Sequence, residues 1–414
     1  MKILVINKFF YQFGGTERYA FALTDLLESY GHETVPFAMA HPDNVISDYS
    51  KYFVSPVDLA KPRISWSGLK AAGRVVYSFE AARKLRQLIR DTKPDLAHIQ
   101  NIYHQLSPSV LKVLKEEKIP TVQTLHDYAY LSPSYGLFDH GAVCERVKPR
   151  KYYRAVFHKC VKNSFMASTL DAFAFRFHAT FGLDERLVGR LIAPSEFVKN
   201  KFAEWGRNVF RMEVLPHFID ATRYEPSPAP GAEVAYVGRL SEEKGIGILL
   251  AAMEKIPDVR LKVIGTGPME KQLKDFCELA GLKNVRFLGQ LRHTEVMEEI
   301  GKSRFVVVPS LFYEPFGYLA IEAACMGKAV VASKVGGLPE IVRDSETGVL
   351  VPPGDAKALA SAIATLAADE PSIRAFGHAG RAMVELRFRP DEYYAKLMEI
   401  YESVSMGVRP HVKR

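Results

Sequence analysis

Four cysteines in 414 residues, irregularly placed, exclude a disulfide scaffold and fit a reducing compartment. No stretch reaches the roughly 18 consecutive apolar residues that a membrane span needs. The opening MKILVINKFF breaks its apolar run at Asn7 and Lys8. That run is too short for a signal-peptide core and reads as a first β-strand, so the cytoplasm is the expected compartment. Glycine (28) and proline (24) stay near average usage, which excludes a fibrous or low-complexity chain. A dinucleotide fingerprint is also missing: VIGTGPME, residues 263–270, has G-x-G-P without the later glycine. It either lines a nucleotide site or makes a tight turn.

What is present is an ordinary globular composition, 48% hydrophobic and 25% charged, in a chain long enough for two domains. The net charge of +8 is uneven. Residues 1–215 carry 30 Lys+Arg against 21 Asp+Glu, and the remainder 25 against 26. The surplus gathers in Lys61–Lys93 and Arg146–Lys162. Such asymmetry favours an anionic membrane surface or an anionic substrate. The basic segments form no recognisable nucleic-acid-binding module, so no nucleic-acid partner is expected.

Short apolar strands alternate with helical segments twice over. KILVIN, ETVPFAM, DLAHIQ and PTVQTLHD are the strands of the first half, with helices at 16–30, up to Arg90 and around 108–117. RYEPSPAPGAE, residues 223–233, has three alternating prolines and marks a boundary or linker. Beyond it EVAYVG, RLKVIG, VRFLG, RFVVVPS and AVVAS alternate with further helices, and DEYYAKLMEIYESV closes as an amphipathic helix. The pattern predicts an α/β chain of two doubly wound, Rossmann-like domains facing across a cleft, with ligands at the carboxyl ends of the strands.

Three strand ends carry chemistry. In FGGTER, residues 13–18, Gly14 and Gly15 permit close backbone approach and Thr16 is a candidate N-cap. This is an anion site or simply a turn. In YVGRLSEEKG, Arg239 and Lys244 follow the strand on a loop, a fork of donors and a mobile point charge suited to a diphosphate, or two solvated cations. In EPFGYLAIE, residues 314–322, Pro315 keeps Glu314 out of the helix and leaves the N–H groups of Phe316, Gly317 and Tyr318 without helical partners. Glu322, inside an apolar helix, needs a partner. Two carboxylates flanking free N–H groups suit a sugar nucleotide.

These motifs, E-x7-E at 314–322, GRLSEEKG, GGLPEIVRDSETGVLVPPGD at 336–355 and GGTER, resemble the retaining glycosyltransferases of family 4, which have the GT-B fold. The likeness covers nearly the whole chain and is densest in 236–355. It implies a sugar transferase that uses a nucleotide-sugar donor and a hydroxyl acceptor, such as a lipid-linked sugar or glycan, in envelope polysaccharide or glycolipid assembly. Arg239 and Lys244 would bind the donor diphosphate. Glu322 would take the ribose hydroxyls, and Glu314 the transferred sugar beside the backbone of Phe316 and Gly317. Gly15 would let its loop approach the phosphates. His126, in TLHD, would face the anomeric carbon.

The same resemblance divides the chain into an acceptor-side domain 1–220, a linker 221–233, a donor domain 234–390 and a helix and tail 391–414 that crosses back to the first domain. No Asp-x-Asp pair is evident, so no metal or other cofactor is expected. The basic half would bring the enzyme to the inner membrane face. Relatives often have Asn-Gly after a strand–proline, where this chain has His217 and Phe218. The basic segment 139–160 looks inserted, and its His140, Cys144, His158 and Cys160 match no zinc spacing closely. A non-catalytic sugar-nucleotide scaffold would have lost a glutamate or cation of the donor set, and none is lost. An epimerase would need a further acid–base set, which is not identified.

Overall fold

The computed structural model describes residues 1–12, 14–57 and 72–405. Residues 61–71 of the first basic segment therefore lie outside the described residues. The chain divides into two compact units. One comprises Met1–Leu137, Glu145–Leu215 and the chain from Tyr394; the other comprises Phe138–Cys144 and Pro216–Tyr393.

The strands in chain order are β1 (Lys2–Ile6), β2 (Glu33–Phe37), β3 (Leu96–Ile99), β4 (Thr121–Thr124), β5 (Phe138–Asp139), β6 (Ala142–Val143), β7 (Arg190–Ala193) and β8 (Met212–Val214). They continue with β9 (Glu233–Val237), β10 (Arg260–Ile264), β11 (Val285–Gly289), β12 (Val306–Val308), β13 (Val330–Ser333) and β14 (Gly348–Val351). The first unit holds a sheet ordered β2-β1-β3-β4-β7-β8, parallel throughout. The second holds β11-β10-β9-β12-β13-β14, also parallel throughout. Both are the doubly wound α/β architecture expected of a GT-B chain. In each, the strand order reverses beside the first strand of the unit, at β1/β3 and β9/β12, where such sheets open a crevice for ligands.

Parallel strands buried on both faces read as unbroken apolar runs, and VVV of β12 and most of KILVI of β1 are buried accordingly. Helices start where a serine can cap them. Ser78, Ser164 and Ser195 accept the backbone N–H groups of Ala81, Ala167 and Val198. The first helix, Gly15–Ser29, differs from expectation at this point. Its N-cap is Gly14, in extended conformation and without a side-chain bond, so Thr16 lies inside the first turn.

Two segments are tied down more firmly than their composition suggests. The proline-rich stretch is strapped onto the second unit: Ser227 N–H donates to Met326 O, Lys328 Nζ to Ala229 O, and Arg381 to the carbonyls of Ala221 and Tyr224. The helix Pro390–Ser405 is anchored in the first unit. There the Tyr401 hydroxyl pairs with His98 Nδ1 at 2.7 Å, and Tyr394 stacks on Tyr30 at 3.7 Å between ring centroids. No helix among the described residues is long and apolar enough to cross a membrane.

Candidate functional site

In the second unit the loops after β9 and β12 meet. Lys244 Nζ donates to Glu314 Oε1 at 2.7 Å, and Ser310 Oγ donates to the same oxygen at 2.7 Å. Glu314 is buried and Lys244 half-buried, so this is a partly desolvated, charge-assisted pair. The ammonium also lies over the Phe312 ring, 4.7 Å from its centroid.

Backbone crowding fixes the geometry. Gly245, at φ +70, turns the chain beside Lys244, and a Cβ there would fall 1.8 Å from Pro309 O. Gly336, at φ +62, lies against Glu314, and a Cβ would fall 2.4 Å from its N and O. Gly337 N–H then donates to Glu314 O at 2.7 Å, while Leu311 N–H donates to Glu243 O at 2.9 Å. Neither contact tolerates a side chain, so the lysine and the glutamate are placed by main chain rather than by flexible groups.

Arg239, on the same loop as Lys244, is exposed; its carbonyl accepts the Tyr236 hydroxyl at 3.0 Å. Burial, and next the Glu314 charge, hold the Tyr236 hydroxyl protonated far above its ordinary range. The helix Tyr318–Cys325 begins at Gly317, whose φ of +112 makes the sharp entry that Pro315 prepares. Phe316 is buried, and Gly317 packs closely on Leu338.

Glu322 is 3% exposed, and its Oε1 lies 3.9 Å from His293 Nδ1, whose ring in turn contacts the Tyr224 hydroxyl at 3.3 Å. The structure thus joins Lys244 directly to Glu314 and places Glu322 one and a half turns deeper, beside a histidine that the sequence reading did not single out. His217 and Phe218 are packing groups. His217 stacks on Tyr318 at 5.3 Å and meets Phe316 edge-on at 4.8 Å, and Phe218 packs on Tyr393.

In the first unit the carboxyl ends of β1, β3 and β4 converge on a polar cluster. His126 Nε2 pairs with Gln100 Oε1 at 2.7 Å, and Tyr19 meets the His126 ring edge-on at 5.1 Å. Beneath it His98 Nε2 pairs with Thr124 Oγ1 at 2.8 Å, and Thr124 with the Tyr19 hydroxyl at 3.3 Å. Burial lowers both imidazoles to about 3, so both are neutral at physiological pH. Asn101 N–H donates to Asn7 Oδ1, and Asn7 Nδ2 donates to Glu17 Oε1. Burial raises the carboxyls of Glu17 and Asp127 against the pull of Lys8 and neighbouring amides.

Gly15 opens the helix that carries Glu17 and Tyr19. A cavity of about 180 Å³, lined by Asn7, Phe9, Phe10, Phe21 and Ile46, adjoins the end of β1. Asn7, Glu17, Gln100, Asn101 and Asp127 were not singled out from the sequence. The available signal was that β1 and β3 are followed at once by polar residues, Asn7 and Gln100–Asn101, and that His126 and Asp127 follow β4 after a single leucine.

In the inserted-looking segment β5 and β6 form a hairpin, and His140 Nδ1 pairs with Asp139 at 2.8 Å. All four cysteines are free thiols.

The model of glycosyl transferases group 1 matches residues 223–383, and that of glycosyltransferase family 4 matches residues 13–223, half of the chain. A glycogen synthase of Mycobacterium tuberculosis is 32% identical over 230 residues, 53% of this chain and 55% of its own length. The chain thus spans little more than half of that relative. A phosphatidyl-myo-inositol mannosyltransferase of Mycolicibacterium smegmatis is 26% identical over 414 residues, 96% of this chain and 93% of its own. Among solved structures, Anabaena Alr3699/HepE in complex with UDP-glucose has a TM-score of 0.70 and 22% identity, covering 97% of this chain and 100% of its own. That last likeness shows the fold.

Proposed function

This chain belongs to the glycosyltransferases of family 4, and from that premise we propose that it transfers a sugar from a nucleotide-sugar donor to a hydroxyl acceptor with retention of configuration. The observation that carries the reading is the Lys244–Glu314–Ser310 cluster at a strand-order reversal, with Arg239 on the same loop. As the sugar–phosphate bond breaks, negative charge builds on the leaving diphosphate and positive charge on the anomeric centre. Arg239 and Lys244 neutralise the first. Lys244 and Glu314 satisfy each other. A donor offers phosphate oxygens to the lysine and sugar hydroxyls to the glutamate, so both can exchange partners without being left buried and unpaired.

Glu322 is assigned to the ribose hydroxyls, and Phe316 and Gly317 to backbone contacts with the sugar. Gly15, at the start of the helix Gly15–Ser29, is assigned to close backbone approach to the donor phosphates. His126 is assigned to the transferred sugar; being neutral, it acts there as a hydrogen-bonding group and not as a standing cation. The cation set makes the reading metal-independent. UDP-sugars are the first donors to try, because the Anabaena protein holds UDP-glucose. A lipid-linked acceptor of envelope glycan assembly is favoured by the likeness to the phosphatidyl-myo-inositol mannosyltransferase and by the basic first half.

The test is thermal melting of the wild type and of Glu322→Ala with UDP-, GDP- and ADP-sugars. A ligand at about 100 times its dissociation constant adds roughly 2.7 kcal/mol. One nucleotide series should raise the wild-type midpoint and leave the variant unmoved. A wild type unmoved by all three series would overturn the donor-site reading.

A further inference from the structure

The helix Phe165–Phe181, FMASTLDAFAFRFHATF, buries Ser168, Asp171, Ala172, Ala174, Phe175 and His178 against its unit. Its outer side carries large apolar side chains beside Thr169, Arg176 and Thr180. Phe165, Met166, Phe173 and Phe181, together with Tyr153 and Phe157 of the adjoining helix Tyr153–Phe157, are between 55% and 76% exposed. A surface helix normally turns polar residues outward, and one that is apolar all round normally lies inside a protein or a lipid phase. The outward rings lie in two groups: Phe177 lies 6.4 Å from Phe173 and 4.5 Å from Phe181 between centroids, and Tyr153 lies 6.4 Å from Phe157.

The charge around these rings has one sign. Residues 146–181 contain eight Lys or Arg and a single acid, Asp171. That acid is buried and held at 3.0 Å by His104 Nε2. The outer face therefore presents aromatics among cations and no carboxylate of its own segment. The positive lining continues past the last turn of the helix, where Arg186 donates to Ala179 O. There a cavity of about 300 Å³ is lined by Arg150, Arg186, Arg207 and Arg211 together with Glu185. Arg186 and Arg207 are tied to Asp184 and Glu185, and Arg150 and Arg211 extend the positive surface.

We propose that this face, Tyr153–Phe157 and Phe165–Phe181 with their flanking cations, docks the enzyme on an anionic phospholipid bilayer. The rings enter the headgroup layer and the guanidinium and ammonium groups meet lipid phosphates. The chemistry favours a bilayer because aromatic side chains partition to the headgroup level and clustered cations are drawn to an anionic leaflet. The proposal deepens, and rests on, the reading of a lipid-linked acceptor.

The experiment is flotation of the full chain with phosphatidylcholine vesicles prepared with and without phosphatidylglycerol, at low and high salt. The wild type should float with the anionic vesicles at low salt, and high salt should release it. The combined variant Phe157→Ser, Phe165→Ser, Phe173→Ser should partition at least tenfold less. A second variant, Phe173→Trp, should show a blue-shifted emission on adding anionic vesicles.

Absence of wild-type flotation, flotation untouched by the serine variant, or an unshifted tryptophan would each overturn the proposal. So would a wild-type dimer in solution that the serine variant dissociates, which would make a second copy the occupant. Nucleotide-sugar melting shifts on the same proteins, without vesicles, separate the two readings. If they persist while flotation fails, the transferase reading stands alone.

Discussion

The two units end their central strands in opposite kinds of polar chemistry. After β9 and β12 stand opposite charges, Lys244 on Glu314, pinned by main-chain contacts at Gly245 and Gly336. After β3 and β4 stand neutral imidazole pairs, His126 on Gln100, with His98 joined beneath to Thr124, beside the carboxyls of Asp127 and Glu17. A partly buried ion pair can trade its partners for ligand groups, the cation for an anion and the carboxylate for hydroxyl donors. The paired imidazoles, neutral in the fold, have no charge to trade and keep one protonation state across the working pH range. On the proposed function, one unit exchanges partners with the donor and the other presents its imidazoles as a fixed wall.

The largest test of that contrast is Gly336→Ala. Its Cβ would meet the backbone of Glu314, which cannot yield, in a conformation that disfavours side chains. Calorimetry should show a loss of at least about 3 kcal/mol. Gly31→Ala has positive φ too, but nothing within 4 Å, and should cost only about 1 kcal/mol. Equal losses at the two sites would dissolve the claim that main-chain crowding sets the charged pair.

Next is Lys244→Met, which removes the exchangeable cation. Donor affinity, read by calorimetric titration, should fall by about 30- to 100-fold, or roughly 2–3 kcal/mol. The melting midpoint should fall as well, because Glu314 is buried and keeps only Ser310 on that oxygen once the ammonium is gone. A variant that melts early but binds normally would make Lys244 a structural residue.

The smallest effect concerns the neutral wall. His98 and His126 are depressed to about 3 in the folded protein against about 6.5 unfolded. Between those values the unfolded chain holds protons that the folded one does not, so their contribution is complete above about pH 6.5 and is lost as the pH falls toward 3. Each histidine contributes at most about 1.4 kcal/mol per pH unit to that slope. His98→Gln should flatten the acid limb of a urea-stability profile by one histidine's share. An unchanged slope would show that His98 is protonated in the fold.

How much was legible beforehand follows the same division. Strands buried on both faces leave unbroken apolar runs, so β9, β10 and β12 could be read directly, and the glutamates flanking Pro315 and Gly317 stood out against an apolar helix. β7, β8 and β14 went unread; β14 is GVLV, only half buried, and its apolar run is too short to separate from a loop. The helix Phe165–Phe181 also escaped notice, because its apolar residues lie on both faces and so make no helical stripe. The polar wall was visible only at His126, for its partners Gln100, Asn7 and Glu17 come from three other segments. Pairing of that kind is a property of the sheet order and leaves no local pattern.

The bond from Tyr401 to His98 spans 303 positions and closes beneath the β3 and β4 ends. During synthesis the first unit therefore cannot complete its interior until residue 401 has emerged from the ribosome. The second unit has its whole contribution, through Tyr393, in hand before then. The half made first is the half finished last, and until then a ring-sized gap stays open under the wall that carries His126.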